Sequence, residues 1–380
     1  MTKRLILLAT AMAMTALPAA ARPRWTEAQA NDWYRAQPWL VGANYTPASA
    51  INQLEMWQAA TWDPQRIDRE LGWAQEIGMN TMRVFLHDQL WLQDPAGFRR
   101  RIDEFLTIAA RHRIKPLFVL FDSCWDPDPR PGPQHPPVPG VHNSGWVQGP
   151  GMAGLRDTRR YPRYKAYVQG VIGAFRDDRR ILGWDVWNEP DNGADQYRGQ
   201  DGKEPLVRAL LAQVFVWARD ADPTQPITSG VWQHDDWTPA GGKLTAMETL
   251  QLRQSDVISF HDYSWPETFE RRVRQLLPYN RPILCTEYMA RGNGSTFDGS
   301  LPIGKRYNVA MMNWGLVNGK TQTRLPWDSW KKPYVLEEPT IWFHEVFRSD
   351  GTPYRRAETD LIRRLTVTPT GASSATPPTG

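Results

Sequence analysis

Two glutamates stand at the ends of apolar runs. The first run is Gly183-Trp184-Asp185-Val186-Trp187-Asn188-Glu189-Pro190, and the second, far along the chain, is Pro282-Ile283-Leu284-Cys285-Thr286-Glu287. Each run is short and ends at polar residues, which reads as a buried strand carrying a carboxylate at its carboxyl end. An unpaired carboxylate is costly in such a place. Two that face each other suit cleavage of a glycosidic bond, in which one group protonates the leaving oxygen and the other attacks the sugar or activates water.

The elements that would position these groups follow from the same patterning. Strand-like runs occur at Leu40–Tyr45, Thr81–Leu86, Pro116–Phe121, Leu182–Trp187, Ile227–Trp232, Val257–Tyr263, Pro282–Tyr288 and Trp314–Val317. Amphipathic segments of helical length alternate with them: Asp63–Ile77, Pro95–His112, Pro162–Phe175, Glu204–Ala221, Leu244–Ser255, Glu267–Leu277 and Pro302–Asn313. A further helix is expected at Glu337–Phe347, and another opens the chain at Thr26–Gln37 with Thr26 as its cap. Eight strands alternating with helices predict an α/β fold, a (β/α)8 TIM barrel in a single domain over residues 22–368. A doubly wound open sheet is the competing topology, but no Gly-rich dinucleotide fingerprint follows the first strand.

In such a barrel the reacting groups sit at the carboxyl ends of the strands. Those ends carry Arg83 and then His87-Asp88, Asp122, Asn188-Glu189, Trp232-Gln233-His234, His261 with Asp262 and Tyr263, and Glu287. Arg83 is the natural cation to keep Glu287 ionised, and the Tyr263 hydroxyl is placed to donate to it. A long Pro- and Gly-rich loop, Asp126 to Tyr161, follows the third strand and would overhang this face; its bulk, with Trp146 inside it, favours a closed, pocket-like site.

These residues resemble clan A of the retaining glycoside hydrolases, and within it the cellulase-like family five and its relatives. The resemblance rests on Trp187-Asn188-Glu189-Pro190, Thr286-Glu287-Tyr288, His261 with Tyr263, and Arg83, and it spans Leu40 to about Leu365. It implies Glu189 as general acid/base, Glu287 as nucleophile, Asn188 as a donor to the sugar 2-hydroxyl, and retention of anomeric configuration. His261 would orient Tyr263 or touch the sugar. His87, Asp122 and Trp232 are further candidates for substrate contact or support, and Trp327 or Trp330 for the stacking floor. The sequence departs from family five at the end of the third strand, where Asp122 stands in place of the usual histidine.

The remaining features bound the reading. Nineteen Trp residues in 380 supply flat apolar platforms suited to the C–H faces of sugar rings. Residues 1–21 read as a secretory signal, with Lys3-Arg4, an apolar Leu5 to Leu17 and cleavage after Ala21, so export to the periplasm or outside is expected. No later run approaches the length of a membrane span. The net charge of +4 falls once Lys3 and Arg4 are removed, and the other basic residues are scattered, so no nucleic-acid partner is expected. The expected partner is a carbohydrate, bound by a monomer without metal or cofactor, since no His-x-His or His-Glu-x-x-His spacing occurs. Cys124 and Cys285, the only cysteines, leave a disulfide open. Residues 369–380 read as a disordered tail. A glycan-binding barrel without turnover and a transglycosylase are the alternatives to a hydrolase.

Overall fold

The computed structural model describes residues 22–239 and 243–366. The expected signal segment, residues 1–21, and the expected tail, residues 369–380, lie outside the described residues. Eight parallel strands form one nearly closed sheet: β1 Val41–Asn44, β2 Thr81–Phe85, β3 Lys115–Val119, β4 Gly183–Asp185, β5 Ile227–Thr228, β6 Ile258–His261, β7 Ile283–Glu287 and β8 Ala310–Trp314. The ladder runs β5-β4-β3-β2-β1-β8-β7-β6, with helices between successive strands. This is the (β/α)8 barrel, and its strands are nearly continuous apolar runs because helices cover the sheet.

The ladder is thinnest between β5 and β6, where a single bridge joins Val231 to Phe260. Side chains stitch the rest of this seam. The Thr228 hydroxyl donates to the Val257 carbonyl (2.8 Å) and lies 2.7 Å from the Ser259 hydroxyl, while Asp256 Oδ2 accepts from the Ile227 amide at 3.0 Å.

Inside the barrel the side chains divide into two levels. At the amino-terminal end Leu40, Leu117, Leu182, Val257, Leu284, Ala310 and Met312 pack with Ala30 and Tyr34 of the first helix, Glu27–Arg35. That helix closes the bottom of the barrel, entered through a capping box between Thr26 and Gln29. Each of the larger apolar side chains buried there contributes roughly 1.5–3 kcal/mol. At the carboxyl-terminal end the interior turns polar, with Asn44, Arg83, Asp185, His261, Glu287 and Asn313 all buried.

Two stretches differ from the sequence reading. Pro302–Asn313, expected as a helix, is split: a helix runs Phe297–Arg306 with Pro302 inside it, Asn308 then turns the chain at φ +52°, and the eighth strand is Ala310–Trp314 rather than Trp314–Val317. The expected helix Glu337–Phe347 does not form. Pro339 would interrupt its hydrogen bonds, and the segment instead runs irregularly along the loop after β8, where Phe343 N–H donates to the Arg324 carbonyl (2.7 Å) and Val317 bridges Phe347. The last helix is Arg356–Thr366.

The long loop after β3 is bound to the loop after β8. The Asn143 amide donates to the Thr321 carbonyl at 2.8 Å, the His142 amide to the Ser329 hydroxyl at 2.9 Å, and the Tyr334 amide to the Gly140 carbonyl at 2.9 Å. Gly140 has φ +74°, and a Cβ there would fall 2.5 Å from the Tyr334 backbone, so only glycine permits this approach. No described helix is long and apolar enough to cross a membrane.

Candidate active site

Arg83 lies fully buried at the centre of the polar level, and a buried guanidinium must be paired. Its Nε and Nη2 donate to Asp185 Oδ2 at 3.0 and 2.7 Å. Its Nη1 donates to Glu287 Oε1 (2.7 Å) and to Asn44 Oδ1 (2.9 Å), and Nη2 reaches Asn188 Oδ1 at 2.7 Å. One side chain on β2 therefore ties together groups from β1, β4 and β7. Glu287 Oε2 accepts from the Tyr263 hydroxyl at 2.7 Å.

Glu189 follows β4 in the left-handed backbone region at φ +42°, a conformation that costs a non-glycine residue roughly 1–2 kcal/mol. The turn is fixed on both sides, by Asn188 N–H to the Phe121 carbonyl (2.8 Å) and Asn192 N–H to the Glu189 carbonyl (2.9 Å). It directs the carboxyl across the barrel mouth. Glu189 Oε1 lies 2.9 Å from His261 Nδ1, and Oε2 accepts from Asn192 Nδ2 at 2.7 Å and from the Cys124 thiol at 3.2 Å. One oxygen of Glu189, one of Glu287 and a ring nitrogen of His261 lie within 4.8 Å of one another.

Burial pushes both carboxyls above the usual carboxylate range. On Glu287 the rise is reinforced by the neighbouring Glu189 and opposed by the Arg83 guanidinium and the Tyr263 hydroxyl. On Glu189 the nearest opposing donors are neutral, the Asn192 amide and the Cys124 thiol. Two adjacent buried carboxyls resist double ionisation, and the direct Arg83 contact favours the negative charge on Glu287 over Glu189. Burial lowers His261 to about 4, so its ring is neutral. The cluster of Glu189, His261 and Glu287 is the one group of described residues with ligand atoms close enough to hold a cation. Arg83 already supplies a positive charge to it, which suits proton transfer better than a second cation.

Above these groups lies a cavity of about 770 Å³. Of the residues singled out in the sequence, Asn188, Glu189, Tyr263, Glu287, Trp232 and Trp327 line it. So do Cys124, Trp125, Trp146, Asp191, Asn192 and Trp314, which the sequence reading did not single out as site residues. Trp314, at the end of β8, was hidden by the misplaced strand. His142, Asn143 and Trp146 come from the long loop, Asp126 to Tyr161, and Trp125 directly precedes it.

Three candidates lie elsewhere. Trp330 stands behind the wall, stacked on Trp125 at 5.1 Å and 11°. His87 is buried away from the cavity; its Nε2 donates to the Gln148 carbonyl (2.9 Å) and its Nδ1 accepts from the Gln89 amide, capping a short helix. Asp122 is buried beneath the site, where it accepts from Asn188 Nδ2 (2.9 Å), Trp146 Nε1 (2.6 Å) and the Cys124 amide (2.9 Å). It positions Asn188 and Trp146 rather than lining the cavity. Cys124 and Cys285 are both free and buried.

No family model matches the chain. Among curated proteins, a probable mannan endo-1,4-beta-mannosidase C of Aspergillus terreus is 27% identical over 145 residues, 33% of this chain and 36% of that protein. Endo-1,4-beta-xylanase A of a Caldicellulosiruptor species is 35% identical over 63 residues, 16% of this chain and 9% of the relative. These matches span only about a third and a tenth of the two relatives. Among solved structures, a GH5_18 variant from Streptomyces cattleya in complex with Manb1-4GlcNAc superposes with TM-score 0.57 at 13% identity, covering 87% of this chain and 80% of that one. The endo-beta-1,4-mannanase of Thermotoga petrophila gives 0.55 at 14% identity over 88% and 77% of the two chains. An exo-beta-1,4-mannosidase of Opitutaceae bacterium strain TAV5 gives 0.55 at 19% identity over 86% and 59%. The fold is thus the (β/α)8 barrel that these solved structures share.

Proposed function

We propose that the protein is a retaining β-glycosidase acting on β-1,4-linked mannosides. The observation that carries this is the pairing of Glu287, bound to Arg83 and Tyr263, with a Glu189 held by neutral donors within one linkage of it. Such closeness suits double displacement, in which the carboxyl groups sit ~5–5.5 Å apart. The choice of mannoside rests on the mannan-cleaving proteins among the relatives and structural neighbours.

A carboxylate oxygen of Glu287 forms a bond to the anomeric carbon as the bond to the leaving oxygen breaks, and the Glu189 proton passes to that oxygen. The negative charge of Glu287 is thereby lost, the neighbour no longer opposes ionisation of Glu189, and Glu189 accepts a proton from water whose oxygen displaces Glu287. Arg83 keeps the nucleophile ionised before attack and stabilises it as a leaving group afterwards. Trp314 and Trp327 line the cavity and supply apolar aromatic surface for the sugar. The walled cavity favours release of single sugars or short oligosaccharides, and the leader segment favours action outside the cytoplasm.

Purified Glu189→Ala and Glu287→Ala proteins, assayed on aryl β-mannosides, test the reading. Each is expected to lose about two to four powers of ten in kcat or more, and proton NMR of the wild-type reaction is expected to show the β anomer first. Full activity of either variant, or an α product, refutes it.

A further inference from the structure

The orientation of the Asn188 amide is fixed by its surroundings. Its Oδ1 accepts from Arg83 Nη2 at 2.7 Å, so its Nδ2 is the donor to Asp122 Oδ1 and to Cys124 Sγ at 3.3 Å. Asn192 is fixed likewise: the Ala194 amide donates to its Oδ1 at 2.7 Å, so Nδ2 is the donor to Glu189 Oε2 and to Cys124 Sγ at 3.4 Å. The Cys124 sulfur thus faces two amide donors, and its thiol donates to Glu189 Oε2 at 3.2 Å. Burial and the nearby carboxylates keep that thiol protonated. Glu189 Oε2 therefore meets two donors and no acceptor.

We propose that Cys124 and Asn192 are positioning residues that reserve Glu189 Oε2 as an acceptor, so that the acid proton resides on Oε1, facing His261 and the cavity mouth shared with Glu287. The donor chain Arg83 to Asn188 to Cys124 to Glu189 links the two carboxyls, because the same guanidinium holds the nucleophile. A carboxylic acid whose proton could settle on either oxygen would present it to the leaving group only part of the time, and the chain removes that ambiguity. This inference rests on Glu189 being the acid/base.

The test compares two substrates on wild type, Cys124→Ala, Cys124→Ser, Asn192→Ala and Glu189→Ala. A dinitrophenyl β-mannoside departs without protonation, whereas a methylumbelliferyl β-mannoside benefits from it. For Cys124→Ala and Asn192→Ala we expect kcat/KM on the methylumbelliferyl substrate to fall about tenfold, with the dinitrophenyl substrate within about twofold, as for a lost hydrogen bond acting on one step. Cys124→Ser, which keeps a donor, is expected to recover most of the loss. Besides the Cys124 thiol, which stays protonated, the charged and titratable groups around Glu189 are Arg83, Asp122, Asp191, Lys203, His261, Tyr263 and Glu287, and none of these is replaced in Cys124→Ala or Asn192→Ala. Removing a donor to the ionised form is expected to move the basic limb of the pH profile upward. Equal losses on both substrates, or no loss on either, overturn the inference. If Glu189→Ala itself shows no leaving-group dependence, the acid/base reading fails; if it does while Cys124→Ala and Asn192→Ala do not, only the positioning role fails.

Discussion

Replacing Tyr263 by Phe removes one hydroxyl from the site and little else. The ring makes edge contacts with Trp327 (centroids 5.2 Å apart) and His344 (5.6 Å), which Phe retains. What is lost is the 2.7 Å hydrogen bond to Glu287 Oε2. Burial and the neighbouring carboxylate hold the Tyr263 hydroxyl well above its ordinary range, so it is a donor at every working pH. A hydrogen bond to a charged acceptor contributes about 1.5–3 kcal/mol, and 1.36 kcal/mol corresponds to one pKa unit. The hydroxyl favours the ionised nucleophile, so its removal lets burial push Glu287 further up, by about 1–2 units. The acidic limb of kcat/KM on an aryl β-mannoside is therefore expected to move to higher pH by that amount, with losses of about ten- to a hundredfold below the limb and smaller losses above it. The melting temperature is expected to stay within a few degrees. An acidic limb that stays in place, or moves down, while the fold is intact would refute the assignment of Glu287 as the ionised partner.

Arg83→Met leaves Asp185 and Glu287 buried without their cation, and urea denaturation is expected to show a stability loss of about 3–5 kcal/mol. Glu345 is buried with Oε2 unpartnered and raised by burial from 4.5 to about 7. Its folded state therefore holds a proton that the unfolded chain releases, a stabilisation present below about 4.5 and lost as pH rises to about 7. Glu345→Gln is expected to flatten the fall in melting temperature across that window. Gly140→Ala, at φ +74° against the Tyr334 backbone, is expected to separate the two loops over the cleft and raise KM more than it lowers kcat, as measured by steady-state kinetics.

The strands legible from sequence were those whose burial on both faces left uninterrupted apolar runs, and seven of the eight begin within a residue of the expected position. The eighth was not, because Val309 to Trp314 continues the apolar spacing of the preceding helix and only the left-handed turn at Asn308 separates them. The segment near Glu337 has helical spacing, but Pro339 and its pairing with the β8 loop override it. The carboxylates, Arg83 and Tyr263 were readable because strand ends place them. Cys124 and Asn192 were not, since their meeting with Glu189 depends on the left-handed turn after β4. The one available signal was that Cys124 follows Asp122 at the level of the neighbouring Asn188.

The weak junction between β5 and β6 lies opposite the route that spaces Glu189 from Glu287. From β4 to β7 the chain of paired strands passes through β3, β2, β1 and β8, uninterrupted, with Arg83 bracing its middle. Trp232, next to the bridging Val231, and His261, at the end of β6, stand on the two sides of that junction. The distance the reaction depends on is set elsewhere, by backbone register. Continuous backbone pairing thus spans one way round the barrel between the two carboxylate-bearing strands, and side-chain hydrogen bonds complete the other.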